Sequence, residues 1–108
     1  MLQELYDSTI EYKDNRISLY CAQNGKCAIT GKILNINDIH CHHKIPKKDG
    51  GTDEYTNLII LDKDIHILVH AKDIETIQKY ISLIKNDKQL NKINNLRRLC
   101  GLTNIETI

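Results

Sequence analysis

The feature that most constrains this chain is the clustering of its histidines. All five histidines of the 108 residues lie between positions 40 and 70, at positions 40, 42, 43, 66 and 70. The only proline, Pro46, and the pair Gly50-Gly51 lie inside the same interval. Histidine is the usual general base near neutral pH and the commonest metal ligand in proteins. We therefore expect residues 40–70 to form the functional site and the rest of the chain to support it structurally.

Length and composition set the class of protein. A chain of 108 residues, 41% hydrophobic and 27% charged, predicts one globular domain with a modest core rather than a disordered segment. Phe and Trp are absent, so Ile, Leu and Tyr must fill that core. No apolar run approaches the about 18 residues of a membrane span, and no signal peptide opens the chain, so we expect a cytoplasmic protein with no membrane partner. A net charge of +1 leaves nucleic-acid binding open, since a binder can be basic on one face alone.

The four cysteines, Cys21, Cys27, Cys41 and Cys100, include no C-x-x-C pair. Without a secretory signal, a disulfide framework is not expected. A structural zinc site could use Cys21, Cys27, Cys41 and a histidine, but the gap between the first two exceeds the about two to four residues usual between paired ligands. Free thiols in or near the core are the preferred interpretation.

The N-terminal segment, residues 1–32, has a helical pattern from Leu2 to about Asn24, where Asn24-Gly25 is a helix stop. Its apolar candidates are Leu5, Ile10, Ile17, Leu19 and Tyr20. The polar pair Asp14-Asn15 could divide this segment into two helices. Residues 26–31 are expected to form a short extended piece or turn.

Residues 39–45 predict a β-strand that ends before Pro46. Strand alternation places His40 and His42 on one face and Cys41 and His43 on the other. For His42 and His43 to serve one site, the strand must bend or bulge. Residues 47–56 predict a polar loop in which Gly50-Gly51 supplies positive φ angles, and residues 57–61 predict a second strand that completes a hairpin.

A helix over residues 65–71, capped by Asp62 or Asp64, would place His66 and His70 one turn apart on one face. Two ring nitrogens so placed can close on one metal ion. His42 on the hairpin is the natural third ligand. Three histidine ligands leave coordination positions open for water and substrate.

The C-terminal residues 72–108 predict two helices that contribute only to the core. Their apolar positions recur at helical spacing: Ile74, Ile77, Ile81 and Ile84, then Leu90, Ile93, Leu96 and Leu99. Arg97-Arg98 is interpreted as solvated helix surface, with phosphate contact as the lesser alternative. The expected fold is therefore α+β, with a hairpin and helix core at residues 33–71 wrapped by N- and C-terminal helices.

Several segments, taken together with their spacing, resemble the HNH endonucleases, also called ββα-metal nucleases. They are Cys27-Ala28-Ile29-Thr30-Gly31, Cys41-His42-His43-Lys44-Ile45-Pro46, Gly50-Gly51-Thr52-Asp53, Asn57-Leu58 and His66-Ile67-Leu68-Val69-His70-Ala71. This combination looks most like the endonuclease domain at the C-terminus of group II intron reverse transcriptases. The resemblance covers about residues 15–100, and its specificity comes from the combined spacing.

The resemblance implies a metal-dependent DNA endonuclease that leaves 5′-phosphate and 3′-hydroxyl ends, acting in second-strand cleavage for intron mobility. His43 would be the general base. His42, His66 and His70 would hold the metal, and Asn57 would hold the loop bearing His43 through side-chain to backbone hydrogen bonds. The implied partners are DNA, intron RNA and a reverse transcriptase domain of the parent chain. His40 has no fixed role in the family pattern.

The implied cofactor is one divalent metal ion. Mg²⁺ or Mn²⁺ is expected in cells, whereas three imidazoles by ligand type favour Zn²⁺ or Ni²⁺. Many relatives also carry two C-x-x-C pairs for a structural zinc. Here those positions hold Cys27 with Thr30 and Asp62 with Ile65, so no structural zinc is expected.

Two further points stay open at the level of sequence. Lys44, Lys47 and Lys48 could contact DNA phosphates or form a solvated loop face. The alternatives in function are a stand-alone restriction or homing nuclease of the same family and a non-catalytic zinc-binding nucleic-acid module.

Overall fold

The computed structural model describes residues 2–106, and for residues 2–9 it describes the backbone alone. Its helices and strands are α1 (Leu2–Ala22), β1 (His40–His43), β2 (Leu58–Leu61), α2 (Lys63–His70), α3 (Ile74–Tyr80) and α4 (Asp87–Leu99). The expected α+β arrangement of a hairpin, an adjoining helix and flanking helices is confirmed. Among residues 2–106, no helix combines the length and apolar character that crossing a membrane requires.

Helix α1 is continuous, so Asp14-Asn15 does not divide it. It ends before Asn24 and Gly25, whose φ angles of 56° and 69° turn the chain out of the helix, as predicted. Leu19 is buried, and the hydroxyl of Tyr20 donates to the carbonyl of Leu34 at 2.7 Å. This bond ties the end of α1 to the loop that follows it.

Two of the other predicted apolar positions of α1 do not lie on its packed face. Ile10 and Ile17 are exposed, and the side chain of Leu5 lies outside the described residues. The contacts of α1 run instead through Tyr12, Asn15 and Leu19, which recur at helical spacing. The prediction of the packed face failed because the face that makes the contacts is partly polar. A search for apolar residues at helical spacing therefore does not detect it.

Strands β1 and β2 pair antiparallel with His40 opposite Leu61, Cys41 opposite Ile60, His42 opposite Ile59 and His43 opposite Leu58. The one-to-one register contains no bulge. The predicted bend or bulge between His42 and His43 is therefore wrong. Both strands are also shorter than expected, because residues 44–57 leave the ladder to form the connecting loop.

Two adjacent glycines in this loop serve different purposes. Gly50 has a φ of 92°, as predicted, whereas Gly51 is not in the left-handed region. A Cβ on Gly51 would stand 1.7 Å from the carbonyl oxygen of Ile45. Gly51 is needed because two backbone segments touch, and its amide donates to the carbonyl of Pro46 at 2.9 Å.

The core lies between the hairpin, α2 and α4. Its most deeply buried apolar side chains are Leu58, Ile60, Leu61, Ile65, Leu68, Val69 and Ile93. Six of them come from β2 and α2, which are adjacent because α2 begins directly after β2 and crosses back over the hairpin, and Ile93 comes from α4. This packing fixes the position of α2 relative to β1.

Arg97 of α4 is 2% exposed, so its assignment to solvated surface is wrong. Its Nη1 donates to the carbonyls of Leu68 and Ala71 at 2.9 and 2.8 Å, and its Nε donates to the carbonyl of Thr103 at 2.9 Å. The last carbonyls of a helix lack partners within that helix and favour a nearby cation. Arg97 thus completes the C-terminal end of α2, whereas Arg98 is exposed as predicted.

We predict that Gly51→Ala destabilises the fold by more than about 3 kcal/mol, above the usual overpacking cost, since the Cβ would meet backbone atoms. The matched control is Gly31→Ala. Gly31 has a φ of 75° and no atom within 4 Å of an added Cβ, so only about 1–2 kcal/mol of backbone strain is expected. Urea unfolding measures both values. An equal or smaller loss at Gly51 would contradict the close approach.

Candidate functional site

Three histidines from two elements converge on one point. The Nε2 atom of His70 on α2 lies 3.2 Å from Nδ1 of His42 on β1 and 3.1 Å from Nε2 of His66 on α2. One nitrogen of each ring lies within 4.8 Å of the others, the spacing of a group that could hold a metal ion. The structure therefore brings together the three residues that the sequence singled out as ligands.

The environment keeps these rings neutral. Burial, then the neighbouring His70 and His66, lowers the pKa of His42 to about 3. Burial, then His70 and His40, lowers the pKa of His66 to about 4. Burial and the Arg97 guanidinium also lower the pKa of His70. At neutral pH each ring offers a lone pair rather than a positive charge, as metal binding requires.

The donor set fits a divalent cation. Three neutral imidazoles suit Zn²⁺ or Ni²⁺ by ligand type. Among residues 10–106, no group of three or more close metal-ligating side chains includes a cysteine. Cys21 is exposed and Cys27 is buried, so the thiolate zinc set of the alternative module is not gathered in one place.

Two of the three rings also have a contact at the nitrogen that points away from the cluster. Nδ1 of His66 lies 2.9 Å from Nδ1 of His40. Nε2 of His42 lies 3.9 Å from the sulfur of Cys100, which lies 3.8 Å from the carbonyl oxygen of Lys44. Sequence reasoning gave neither His40 nor Cys100 a role, because both contacts depend on how the elements pack.

His43 occupies the opposite face of β1. Its Nε2 lies 2.7 Å from Oδ1 of Asp53, whose side chain is 4% exposed. The ring of Tyr12 on α1 is stacked on His43, with centroids 5.6 Å apart and 5° between the planes. Lys47 donates to the second oxygen of Asp53 at 2.9 Å. A carboxylate and an aromatic ring together define the orientation of His43.

Both faces of β1 nevertheless reach one cavity of about 280 Å³. It is lined by Cys41, His42, His43, Pro46, Lys47, His66 and His70. The strand is short and ends at His43, so adjacent side chains on opposite faces still border the same space at its end. No bulge is needed for His42 and His43 to share the cavity.

Asp53 was not identified as a site residue from sequence. It ends the segment Gly50-Gly51-Thr52-Asp53 that resembles the HNH family, and that segment is the signal that could have found it. Only the folded loop turns this one carboxylate inward, where Asn15 of α1 also donates to its backbone carbonyl at 2.8 Å. Tyr12 was missed for the same reason, since it lies far from His43 in the chain.

Asn57 makes the side-chain to backbone hydrogen bonds expected of it. Its Nδ2 donates to the carbonyls of Ile45 and Thr52 at 3.1 and 2.8 Å, and its Oδ1 accepts from the amide of Ile45 at 2.9 Å. Its own carbonyl accepts from the amide of Lys44 at 2.7 Å. Asn57 thereby joins both ends of the loop directly after His43.

The predicted DNA-contacting lysines differ in their surroundings. Lys44 borders a groove of about 630 Å³ that is also lined by Lys26, Lys88 and Lys92, and no acidic residue among the described side chains lines it. Lys47 is paired with Asp53, although 57% of its side chain is exposed. Lys48 is exposed on the loop.

We predict that the metal-free protein loses stability as the pH falls from 7.5 to 5. An unfolded histidine has a pKa near about 6.5, so below that value the unfolded chain binds protons that His42 and His66 in the fold do not. Each ring then contributes a slope of at most about 1.4 kcal/mol per pH unit. Urea unfolding in the presence of a chelator measures it, and His66→Gln should reduce the slope. Equal urea midpoints at pH 7.5 and pH 5 would refute the depressed pKa values.

One of three comparisons with known proteins returned a match, over the segment that carries the site. Searches of curated proteins and of solved structures returned no match. The family model described as HNH endonuclease matches residues 19–72, which is half of the chain. The match spans β1, β2 and α2 with all five histidines, together with the end of α1 that packs against the hairpin. The chain therefore belongs to the HNH endonuclease family.

Proposed function

We propose that this protein is a metal-dependent endonuclease that hydrolyses phosphodiester bonds of DNA to 5′-phosphate and 3′-hydroxyl ends. The observation that carries the proposal is the shared cavity, bordered by three neutral, converging imidazoles and by a fourth imidazole held by a buried carboxylate. Hydrolysis of a phosphodiester needs a base for the attacking water and positive charge near the phosphate. The cavity places residues suited to both tasks around one space.

His42, His66 and His70 would hold one divalent ion. When bound, that ion would supply positive charge against the scissile phosphate and the departing oxygen. By ligand type the three imidazoles favour Zn²⁺ or Ni²⁺, whereas Mg²⁺ and Mn²⁺ are the ions that phosphate chemistry in cells commonly uses. Measuring cleavage with each of the four ions in turn decides which of them supports the reaction.

His43 would take the proton from the attacking water. Its Nε2 faces the Asp53 carboxylate at 2.7 Å, so the neutral ring donates its one N–H there. Nδ1 then carries the lone pair and is the basic nitrogen. After proton transfer, Asp53 stabilises the imidazolium, as a carboxylate does for other catalytic histidines. The stacked ring of Tyr12 supports the same ring orientation.

Asn57 would act by holding the backbone beside His43. Its bonds to Ile45, Thr52 and Lys44 close the loop that also carries Asp53. The carboxylate of Asp53 therefore lies on a loop whose two ends are tied together, and this loop directly follows the strand end that carries His43. Such pre-organisation favours reaction because the groups need not be ordered during the step.

The lysines support DNA as the substrate. The chain is close to neutral overall, but one groove is lined by Lys26, Lys44, Lys88 and Lys92 and by no acidic residue in residues 10–106. Such a groove complements the negative phosphates of a nucleic acid. We propose that Lys44 and Lys48 contact DNA phosphates, with Lys47 contributing less because Asp53 already pairs with it.

The cellular role we propose is second-strand cleavage in group II intron mobility, with intron RNA and a reverse transcriptase domain as partners. This role rests on the resemblance of residues 15–100 to the endonuclease domain of those proteins. A stand-alone restriction or homing nuclease is the alternative. A reverse transcriptase encoded in frame with this sequence would favour the intron role.

We predict that His43→Ala lowers the rate of plasmid cleavage by about 10²–10⁴-fold, the usual contribution of a general base. Each metal ion is added in a separate reaction. Circular dichroism checks that the variant remains folded. Lys79 is exposed, and Lys79→Ala is the control for a substitution at the surface. A folded His43→Ala protein that cleaves at the wild-type rate would remove His43 from the mechanism.

We predict that Asp53→Asn lowers kcat at least about tenfold while leaving the KM for DNA nearly unchanged, because the carboxylate orients the base and does not touch DNA. Asp49→Asn is the matched control, since Asp49 lies exposed in the same loop. If both variants have equal rates, the pairing of Asp53 with His43 has no part in the reaction.

A further inference from the structure

His40 is the one histidine to which neither the family pattern nor the proposed reaction gives a task. It lies on β1 two positions before His42, and strand alternation places both rings on the face that α2 covers. There its Nδ1 lies 2.9 Å from Nδ1 of His66, and the two rings meet edge to face at 67°. The contact joins a strand residue to a ligand residue on the helix.

The two nitrogens of His66 face different partners. Nε2 lies 3.1 Å from Nε2 of His70 and so points into the cluster, whereas Nδ1 points to His40. A neutral imidazole carries one proton, on one nitrogen only. If Nε2 gives its lone pair to an ion, the proton must sit on Nδ1, and Nδ1–H then donates to Nδ1 of His40.

The opposite direction of this hydrogen bond is incompatible with metal binding. If His40 donated to Nδ1 of His66, the proton of His66 would sit on Nε2 and block the lone pair that faces the cluster. The hydrogen bond thus selects between two tautomers of His66, and only one of them can bind an ion. Holding a ligand's second N–H also fixes the plane of the ring.

We propose that His40 is a positioning residue for the metal centre, which accepts a hydrogen bond from His66 and thereby fixes the ring and tautomer that bind the ion. This inference rests on the proposed assignment of His42, His66 and His70 as ligands. His40 itself does not bind the ion, because its Nδ1 contacts the nitrogen of His66 that points away from the cluster. Partners of this kind typically change metal affinity about 10- to 100-fold.

Isothermal titration with Zn²⁺ alone, on the full chain, tests the proposal without reference to cleavage. His40→Phe keeps a planar ring but removes the acceptor, so Zn²⁺ affinity should fall about 10- to 100-fold. His40→Asn places a carbonyl oxygen near the position of Nδ1 and should restore affinity to within about threefold of the wild type. Lys63→Ala, exposed on the same helix as the ligands, is the control. Circular dichroism verifies that each variant is folded.

The outcomes separate this inference from the metal centre itself. If His40→Phe binds Zn²⁺ within about twofold of the wild type, or if His40→Asn is as weak as His40→Phe, His40 is not the positioning acceptor. If neither the wild-type protein nor His40→Phe binds Zn²⁺, the proposed ligand set is wrong and this inference is wrong with it.

A second measurement reports the tautomers directly. Long-range proton–nitrogen correlation spectra of the Zn²⁺-loaded, ¹⁵N-labelled protein should show His66 protonated at Nδ1 and His40 protonated at Nε2. A purely structural role for His40 predicts no such pairing of tautomers. His66 protonated at Nε2 in the loaded protein would overturn the proposal.

Discussion

The candidate site depends on one interaction, the hydrogen bonding of the Arg97 guanidinium to the backbone carbonyls at the end of α2. It satisfies carbonyls at the C-terminal end of the helix that carries His66 and His70, in a place from which water is excluded. No carboxylate among the side chains that the structure describes pairs with this buried cation, which is tolerable there because the helix end presents partial negative charge. Burial lowers the pKa of His70, and the same cation lowers it further, which disfavours the protonated form. One side chain therefore anchors the helix and also adds to the effect of burial on a ligand ring.

A regular two-stranded hairpin then divides the chemistry between its faces. His40 and His42 face α2, where the rings meet nitrogen to nitrogen, and His43 faces α1 and the loop, where a carboxylate holds it. Consecutive Cα atoms are only about 3.8 Å apart, so adjacent residues remain close even when their side chains diverge. At the end of β1 that divergence places a base and a metal ligand around one cavity without distorting the strand.

The parts of the site that local spacing controls could be predicted from sequence. The helical separation of His66 and His70 and the alternation along β1 follow from short-range geometry, whereas the role of Asn57 was implied by the resemblance to the HNH family. The parts that depend on distant segments could not. The contact of Asp53 with His43 forms only when the loop folds, Tyr12 reaches His43 from α1, and Arg97 is buried only when its helix packs on α2.

The sequence by itself determined the α+β class, the order of hairpin and helix, and which imidazoles could face one another, because dihedral preferences and residue periodicity act over a few positions. Only the tertiary structure decided which carboxylate holds His43, which nitrogen of His66 points into the cluster and where Arg97 is buried. Those outcomes depend on excluding water between segments far apart in the chain. A buried polar group must find a partner wherever packing offers one, and no local pattern encodes that choice.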